Sequence, residues 1–143
     1  MKAIVHELVV PFSARQVWKA LTDQGALASW LMTNDFEPRV GRRFQFRDKP
    51  RLGFSGIVDC EVTQVDELRR LAYSWQGRPW MGQPTMVTWT LTPESSGTRI
   101  RLEHSGFHGI GGWFAYRFLR GGWARLIESG LLKYLGAQST SPL

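Results

Sequence analysis

Two of the three histidines, His104 and His108, lie four positions apart and are the first candidates for chemistry in this chain. On a helix, that spacing would place both imidazoles on one face, as in some zinc sites. Gly106 lies between them, however, and His108 falls in a glycine-rich stretch, so the pair is not typical of a helical metal motif. A zinc site also needs three or four converging ligands, and no other His or Cys is close in sequence. We therefore predict no metal and no other cofactor.

The candidate nucleophiles and paired acids are no stronger. Cys60 is the only cysteine, and its mid-strand position without a nearby histidine favours packing over catalysis. Ser105 lacks the preceding glycine pattern of a nucleophile elbow. Asp59, Glu61 and Glu103 fall at the outward positions of predicted strands. We therefore expect a protein without catalytic residues rather than an enzyme.

The bulk composition indicates one domain. The chain has 143 residues, of which 43% are hydrophobic and seven are Trp, enough for one well-packed core. We assign residues 1–137 to this domain and expect 138–143 to be a frayed tail. Met1 leads directly into an alternating pattern instead of a signal peptide, and a lone cysteine suits a reducing compartment, so we expect a cytoplasmic protein. The net charge of +6 is spread along the chain, so we do not expect nucleic-acid binding to be its role.

The first thirty residues predict a strand followed by two short helices. Residues 2–10 alternate weakly between apolar and polar types. Ser13 and Gln16 have the spacing of a capping box, which starts a helix that ends near Thr22. Asp23 can cap a second short helix that leads to Trp30.

From Phe36 onward, apolar and polar residues alternate with period two for about seventy residues, which predicts about six consecutive strands. The breaks between them contain Gly, Pro, Asp and Ser over short distances, as in antiparallel hairpins. The period then changes to 3.6, and residues 112–135 read as one amphipathic helix. The order is strand, two helices, six strands and a long helix, which defines an α+β fold.

The long helix contains the interior pair Gly121 and Gly122, although each glycine costs roughly 1 kcal/mol relative to Ala at such a position. Two explanations are open. The pair allows a kink or close backbone packing, or it leaves room for a ligand beside Trp123.

Short matches in a fixed order cover nearly the whole chain. They are Val17-Trp18-Lys19-Ala20-Leu21-Thr22-Asp23, Leu27-Ala28-Ser29-Trp30-Leu31, Gly41 with Phe44, Gly56-Ile57-Val58, Arg70-Leu71-Ala72-Tyr73-Ser74-Trp75, Val87-Thr88-Trp89-Thr90-Leu91, Gly97-Thr98-Arg99-Ile100-Arg101-Leu102, His104-Ser105-Gly106-Phe107 and Gly122-Trp123. Together they resemble the AHSA1-like family, that of activator of Hsp90 ATPase homologue 1, in the START-like or SRPBCC superfamily.

The resemblance implies a helix-grip fold, in which a curved antiparallel sheet of about seven strands wraps around a long C-terminal helix and leaves a cavity between them. It does not imply one function, because relatives bind lipids and other hydrophobic ligands, assist chaperones or cyclise polyketides. The sequence shows only the bare domain, without the extra N-terminal domain of the eukaryotic co-chaperones, so the resemblance does not by itself imply direct activation of Hsp90.

Strand parity and helix spacing predict which side chains face this cavity. The predicted lining residues are Trp30, Phe44, Phe46, Tyr73, Trp75, Trp89, Leu102, His104, Phe107, Leu119, Trp123 and Ile127. They form either a partly open pocket or a solid aromatic core. A ligand in a pocket would be mainly apolar, with one polar group directed at His104 or at an indole N–H. The other interpretation of His104 is a histidine satisfied by a backbone partner near the rim.

Two surface features suggest partners. The segment 39–51 is rich in basic residues and is either a docking face for an acidic partner or a solvated edge that discourages aggregation. Its arginines are Arg39, Arg42, Arg43, Arg47 and Arg51. Trp80 and Met81 lie in the Gly- and Pro-rich loop 76–84, which would form a lid over the cavity or a dimer contact.

The leading functional hypothesis is non-catalytic binding of a small hydrophobic or amphipathic molecule by a monomer or homodimer without a membrane span. An interaction protein with a basic surface for a chaperone or other acidic partner is the alternative. A polyketide cyclase or aromatase-like enzyme is the third.

Overall fold

The computed structural model describes residues 3–51, 54–78 and 83–139. The strands and helices follow the predicted order. The strands are β1 (Ile4–Val10), β2 (Thr33–Asn34), β3 (Arg43–Arg47), β4 (Ile57–Asp66), β5 (Arg70–Gly77), β6 (Thr85–Glu94) and β7 (Gly97–Ser105). The helices are α1 (Ala14–Thr22), α2 (Gln24–Trp30), α3 (Gly109–Arg125), a π-helical segment (Leu126–Leu131) and α4 (Leu132–Ser139). Trp80 and Met81 of the predicted lid, and residues 140–143 of the predicted tail, lie outside the described residues.

The start of α1 is the predicted capping box. The Ser13 hydroxyl accepts from the Gln16 backbone N–H at 3.1 Å, and the Gln16 side chain accepts from the Ser13 backbone N–H at 2.9 Å. α1 ends at Thr22, and the Asp23 carboxylate accepts from the Ala26 N–H at 2.9 Å to begin α2. Local sequence chemistry thus sets both helix starts.

The seven strands form one antiparallel sheet in the order β1-β7-β6-β5-β4-β3-β2. Only β1 is out of sequence order, because α1 and α2 carry the chain from one edge of the sheet to the other. Alternate residues along much of β4, β6 and β7 are buried, so one face of the sheet is apolar and the other faces solvent. A register shift between Val62 and Gln64 interrupts the pairing of β4 with β5, as a β-bulge does. The predicted α+β fold of helix-grip type is confirmed.

The C-terminal helical region covers the apolar face of the sheet, and its own residue Trp123 is fully buried against that face. The predicted bounds, 112–135, were too narrow, because the helical region begins at Gly109 and continues to Ser139. The glycines near its start lower intrinsic helix propensity, but tertiary packing overrides this, and Gly112 is buried. Among the described residues, no helix is long and apolar enough to cross a bilayer.

The π-helical segment has a packing reason. The buried residues of this region recur at every fourth position, at Trp123, Ile127, Leu131 and Leu135. In a regular α-helix, residues four apart are rotated by about 40°, so such a row drifts off the buried face. A wider π turn counters that drift. It also brings Gly130 against α2, where a Cβ would lie 2.7 Å from the Trp30 carbonyl oxygen.

Candidate ligand-binding site

The inner face of the sheet and the C-terminal helical region meet in an aromatic cluster. The Trp123 ring centroid lies 5.3 Å from that of Trp75 and 5.8 Å from that of Trp89, and Trp89 lies 6.0 Å from Trp30. Phe46 contacts Trp75 at 5.5 Å. These rings are mostly tilted or edge-on to one another, which is the arrangement that aromatic quadrupoles favour.

A chain of hydrogen bonds runs through the centre of this cluster. The Trp123 indole N–H donates to His104 Nδ1 at 2.9 Å. His104 Nε2 lies 2.6 Å from the Thr85 hydroxyl oxygen, and that hydroxyl donates to the Trp75 carbonyl at 2.8 Å. His104 is fully buried. The chain therefore links the helix to strands β7, β6 and β5 through one imidazole.

The donors and acceptors of this chain determine the state of His104. Because the Thr85 hydrogen is directed to the Trp75 carbonyl, the Thr85 oxygen must accept from His104, which assigns the imidazole proton to Nε2. Nδ1 must accept from Trp123, so a second proton there would face another N–H. Burial lowers the pKa of His104 from 6.5 to about 3. His104 is thus neutral, and both its nitrogens have partners.

Other buried polar groups of the cluster are also engaged. The Trp30 indole N–H donates to the Ala20 carbonyl at 2.8 Å, and the Trp89 indole N–H donates to the Tyr73 hydroxyl at 3.1 Å. Burial raises the pKa of the Tyr73 hydroxyl. The pKa of the Cys60 thiol is also raised, first by burial and then by the nearby carboxylates, so the thiol stays protonated and poorly nucleophilic.

The structure brings the predicted lining residues together, but at different depths. The buried members are Trp30, Phe44, Phe46, Tyr73, Trp75, Trp89, Leu102, His104, Phe107, Trp123 and Ile127. Leu119 alone is only half-buried. The sheet-side members pack on one another and on Trp123, whereas Leu119 lies at the margin of the cluster on α3.

Space remains along one flank of α3. A Cβ built at Gly122 meets nothing within 4 Å, and the half-buried Ala115 and Leu119 precede it at helical spacing. Phe54, in the β3–β4 loop, contacts Phe118 across this flank with ring centroids 6.5 Å apart. We call this region the open flank of α3 and define it by Phe54, Ala115, Phe118, Leu119 and Gly122. Close backbone packing therefore does not explain Gly122, which leaves room beside the helix.

Two residues of interest were missed in the sequence. Phe54 contacts α3 from a loop. The sequence feature that could have predicted this contact is a large apolar residue between Gly53 and Gly56. His6 lies on β1 at the inward parity of Ile4, and its Nε2 is buried without a hydrogen-bond partner in the described part of the chain. The alternation of apolar and polar residues along β1 could have predicted that His6 faces inward.

The outer side of the sheet offers a different kind of surface. A depression of about 510 Å³ there is lined by residues that include Asp59, Glu61 and Arg43, and a second of about 600 Å³, which reaches Ala14 of α1, includes Asp66 and Arg70. Such linings do not suit a hydrophobic ligand. No group of three or more His, Cys, Asp or Glu side chains within the described ranges has the arrangement of a metal site.

The arginines of segment 39–51 are largely neutralised. Arg39 pairs with Glu37 at 2.9 Å, Arg42 with Asp35 at 3.4 Å, Arg43 with Glu61 at 3.1 Å, and Arg51 with Asp48 at 3.5 Å. Arg47 hydrogen-bonds to the Gln45 side chain at 2.6 Å. This pattern favours the solvated-edge interpretation over a free docking face.

The fold and the aromatic interior place the chain in the helix-grip class, whose members enclose space between a curved sheet and a C-terminal helix. Comparison with known families then gives the particular assignment. The profile of the activator of Hsp90 ATPase homolog 1-like proteins matches residues 11–136, so the chain belongs to that family. The predicted membership is confirmed. No curated protein matches the chain significantly.

Solved structures agree with this assignment. Protein MLL2253 from Mesorhizobium loti is 32% identical, with a TM-score of 0.82, and the match covers 99% of this chain and 100% of that one. Protein BH1534 from Bacillus halodurans is 23% identical over 94% and 97% of the two chains, with a TM-score of 0.77. The Aha1 dimer from Colwellia psychrerythraea is 24% identical over 90% and 92%, with a TM-score of 0.70. At these identities, the last two show the fold alone.

Proposed function

We propose that the protein binds a small hydrophobic or amphipathic molecule, without transforming it, along the open flank of α3. The observation that carries this proposal is a set of apolar side chains, half-buried except for the exposed Phe118, beside unfilled space at Gly122. Small-molecule sites are concave and lined mainly by apolar side chains, and this flank presents such side chains beside unoccupied space. A glycine inside a helix costs stability, and here that cost has no packing reason.

The neighbouring aromatic cluster would form the back wall of this site. Leu119 of the flank packs against the buried core, in which the His104 hydrogen bond holds the Trp123 side chain. A wall held by a saturated polar network is rigid, which lowers the entropy cost of binding. Because the polar atoms of His104 and Trp123 are already paired, the ligand would contact this wall mainly through apolar groups.

The absence of a chemical step is part of the proposal. His104 is neutral with both nitrogens engaged, so it is a poor general base, and Cys60 is a protonated, buried thiol. The lone cysteine is compatible with a cytoplasmic location. An interaction protein of co-chaperone type is the alternative, and the dimeric Aha1 homologue makes a homodimer the first assembly to test.

Native mass spectrometry of the freshly purified protein tests the proposal. A bound hydrophobic molecule would appear as an added mass that disappears under denaturing conditions. Gly122→Leu should lose the added mass because its side chain occupies the flank, whereas Gly121→Leu should retain it because Gly121 faces solvent. If the wild-type protein carries no added mass and acquires none after incubation with a mixed lipid extract, the proposal is wrong.

A further inference from the structure

Helix α3 is apolar on both sides. Its inner side carries Gly112 and Trp123, which are buried. Its outer side exposes large hydrophobic residues to solvent, with relative exposures of 79% for Ile110, 46% for Trp113 and 54% for Phe114. Exposed hydrophobic residues that recur on one helix face, instead of singly, mark a contact surface.

The same outer side carries unbalanced positive charge. Arg117, Arg120 and Arg125 are exposed, and within the described residues none of them forms an ion pair with a carboxylate. No Asp or Glu occurs from residue 104 to 127. The Arg117 guanidinium lies 5.3 Å from the centre of the Trp113 ring, so cation and aromatic side chain form one surface.

We propose that this outer face of α3, defined by Ile110, Trp113, Phe114, Arg117 and Arg120, docks on the surface of an anionic lipid bilayer. Arg side chains would pair with acidic headgroups, while the aromatic and aliphatic side chains enter the boundary with the acyl chains. The helix would lie on the membrane and not cross it. The inference is independent of ligand binding on the open flank.

Charge and apolar contact together distinguish the bilayer from two other partners that could cover this face. A second copy of the chain, docked face to face, would bring Arg117, Arg120 and Arg125 towards their own copies without any acid to balance them. A nucleic acid would satisfy the arginines and could stack on Trp113, but it offers nothing apolar to Ile110, the most exposed of these residues. An anionic bilayer satisfies both kinds of side chain.

Flotation of the full chain with phosphatidylglycerol vesicles, against phosphatidylcholine vesicles, tests the proposal. We expect binding to the anionic vesicles, weakened by salt, and little to the zwitterionic ones. The fluorescence of Trp113 should shift to the blue on binding, and Trp113→Phe should remove that shift. Equal binding to both vesicle types, or binding to neither, would overturn the proposal.

Matched variants assign the binding to this face. Phe114→Gln should weaken vesicle binding at least tenfold through lost apolar burial, and Arg117→Gln about fivefold. Val40→Gln and Arg69→Gln, which change exposed residues away from α3, should leave it unchanged. Two results would contradict the proposal if the protein did not bind vesicles. One is a dimer that Phe114→Gln abolishes, and the other is binding to an RNA oligomer.

Discussion

Replacement of His104 by Gln should change how stability depends on pH. The folded-state pKa of His104 is about 3, below its unfolded value of 6.5. Between these values, the unfolded chain binds a proton that the folded protein does not, so acid favours unfolding. The stabilising contribution of neutral His104 is therefore complete above about pH 6.5 and is lost progressively as the pH falls towards 3.

The magnitude follows from the linkage relation. For a pKa of 6.5 in the unfolded state and about 3 in the folded state, the wild type should lose about 2 kcal/mol of unfolding free energy through this residue between pH 7 and pH 5. The glutamine side chain of the variant cannot titrate. Its amide can still donate to Thr85 and accept from the Trp123 indole, so the variant is expected to fold.

Urea unfolding of both proteins at the two pH values measures the effect. All other ionisable groups are common to both proteins, so the difference between the two pH-dependent changes in stability isolates His104. The wild type should be destabilised by about 2 kcal/mol more than His104→Gln on going from pH 7 to pH 5. If both lose the same stability, His104 is not held neutral, and the hydrogen-bond assignment is wrong.

Two further substitutions test local packing. Gly130→Ala should destabilise the protein by about 1–3 kcal/mol, because the new Cβ would lie 2.7 Å from the Trp30 carbonyl oxygen. Thermal unfolding measures this loss, with Gly136→Ala as the control, because a Cβ there would meet nothing within 4 Å. Ser13→Ala should cost about 1 kcal/mol by removing the acceptor for the Gln16 N–H, and an unchanged denaturation midpoint would show that the capping box does not stabilise α1.

Features that depend on neighbouring residues were predictable from the sequence. The Ser13 capping box, the Asp23 cap and the alternation of the strands involve residues a few positions apart, and each appears in the structure. The same alternation placed His104 on the inner face. Family resemblance supplied the topology that joins these elements.

Features set by long-range contact were not predictable. His104 hydrogen-bonds to Thr85 and Trp123, which each lie 19 positions away along the chain. Strand alternation therefore predicted that His104 faces inward, but not which residues it hydrogen-bonds to. The π-helical segment reflects packing against the rest of the domain, because it keeps the row from Trp123 to Leu135 on the buried face. The sequence shows that Gly122 is a glycine within a helix, which allows either close packing or room for a ligand. Only the open space around it in the structure distinguishes the two.

Titration of an environment-sensitive apolar probe, such as anilinonaphthalene sulfonate, into three proteins shows whether the open flank of α3 is a ligand site. The wild type and Gly121→Leu should bind the probe saturably, and Gly122→Leu should bind it at least about tenfold more weakly. Both variants should be as stable as the wild type or slightly more stable, since a Cβ at either position meets nothing within 4 Å and a helix-interior glycine is lost. Equal probe affinity in all three proteins, or a marked loss of stability in Gly122→Leu alone, would show that the open flank of α3 is not a ligand site.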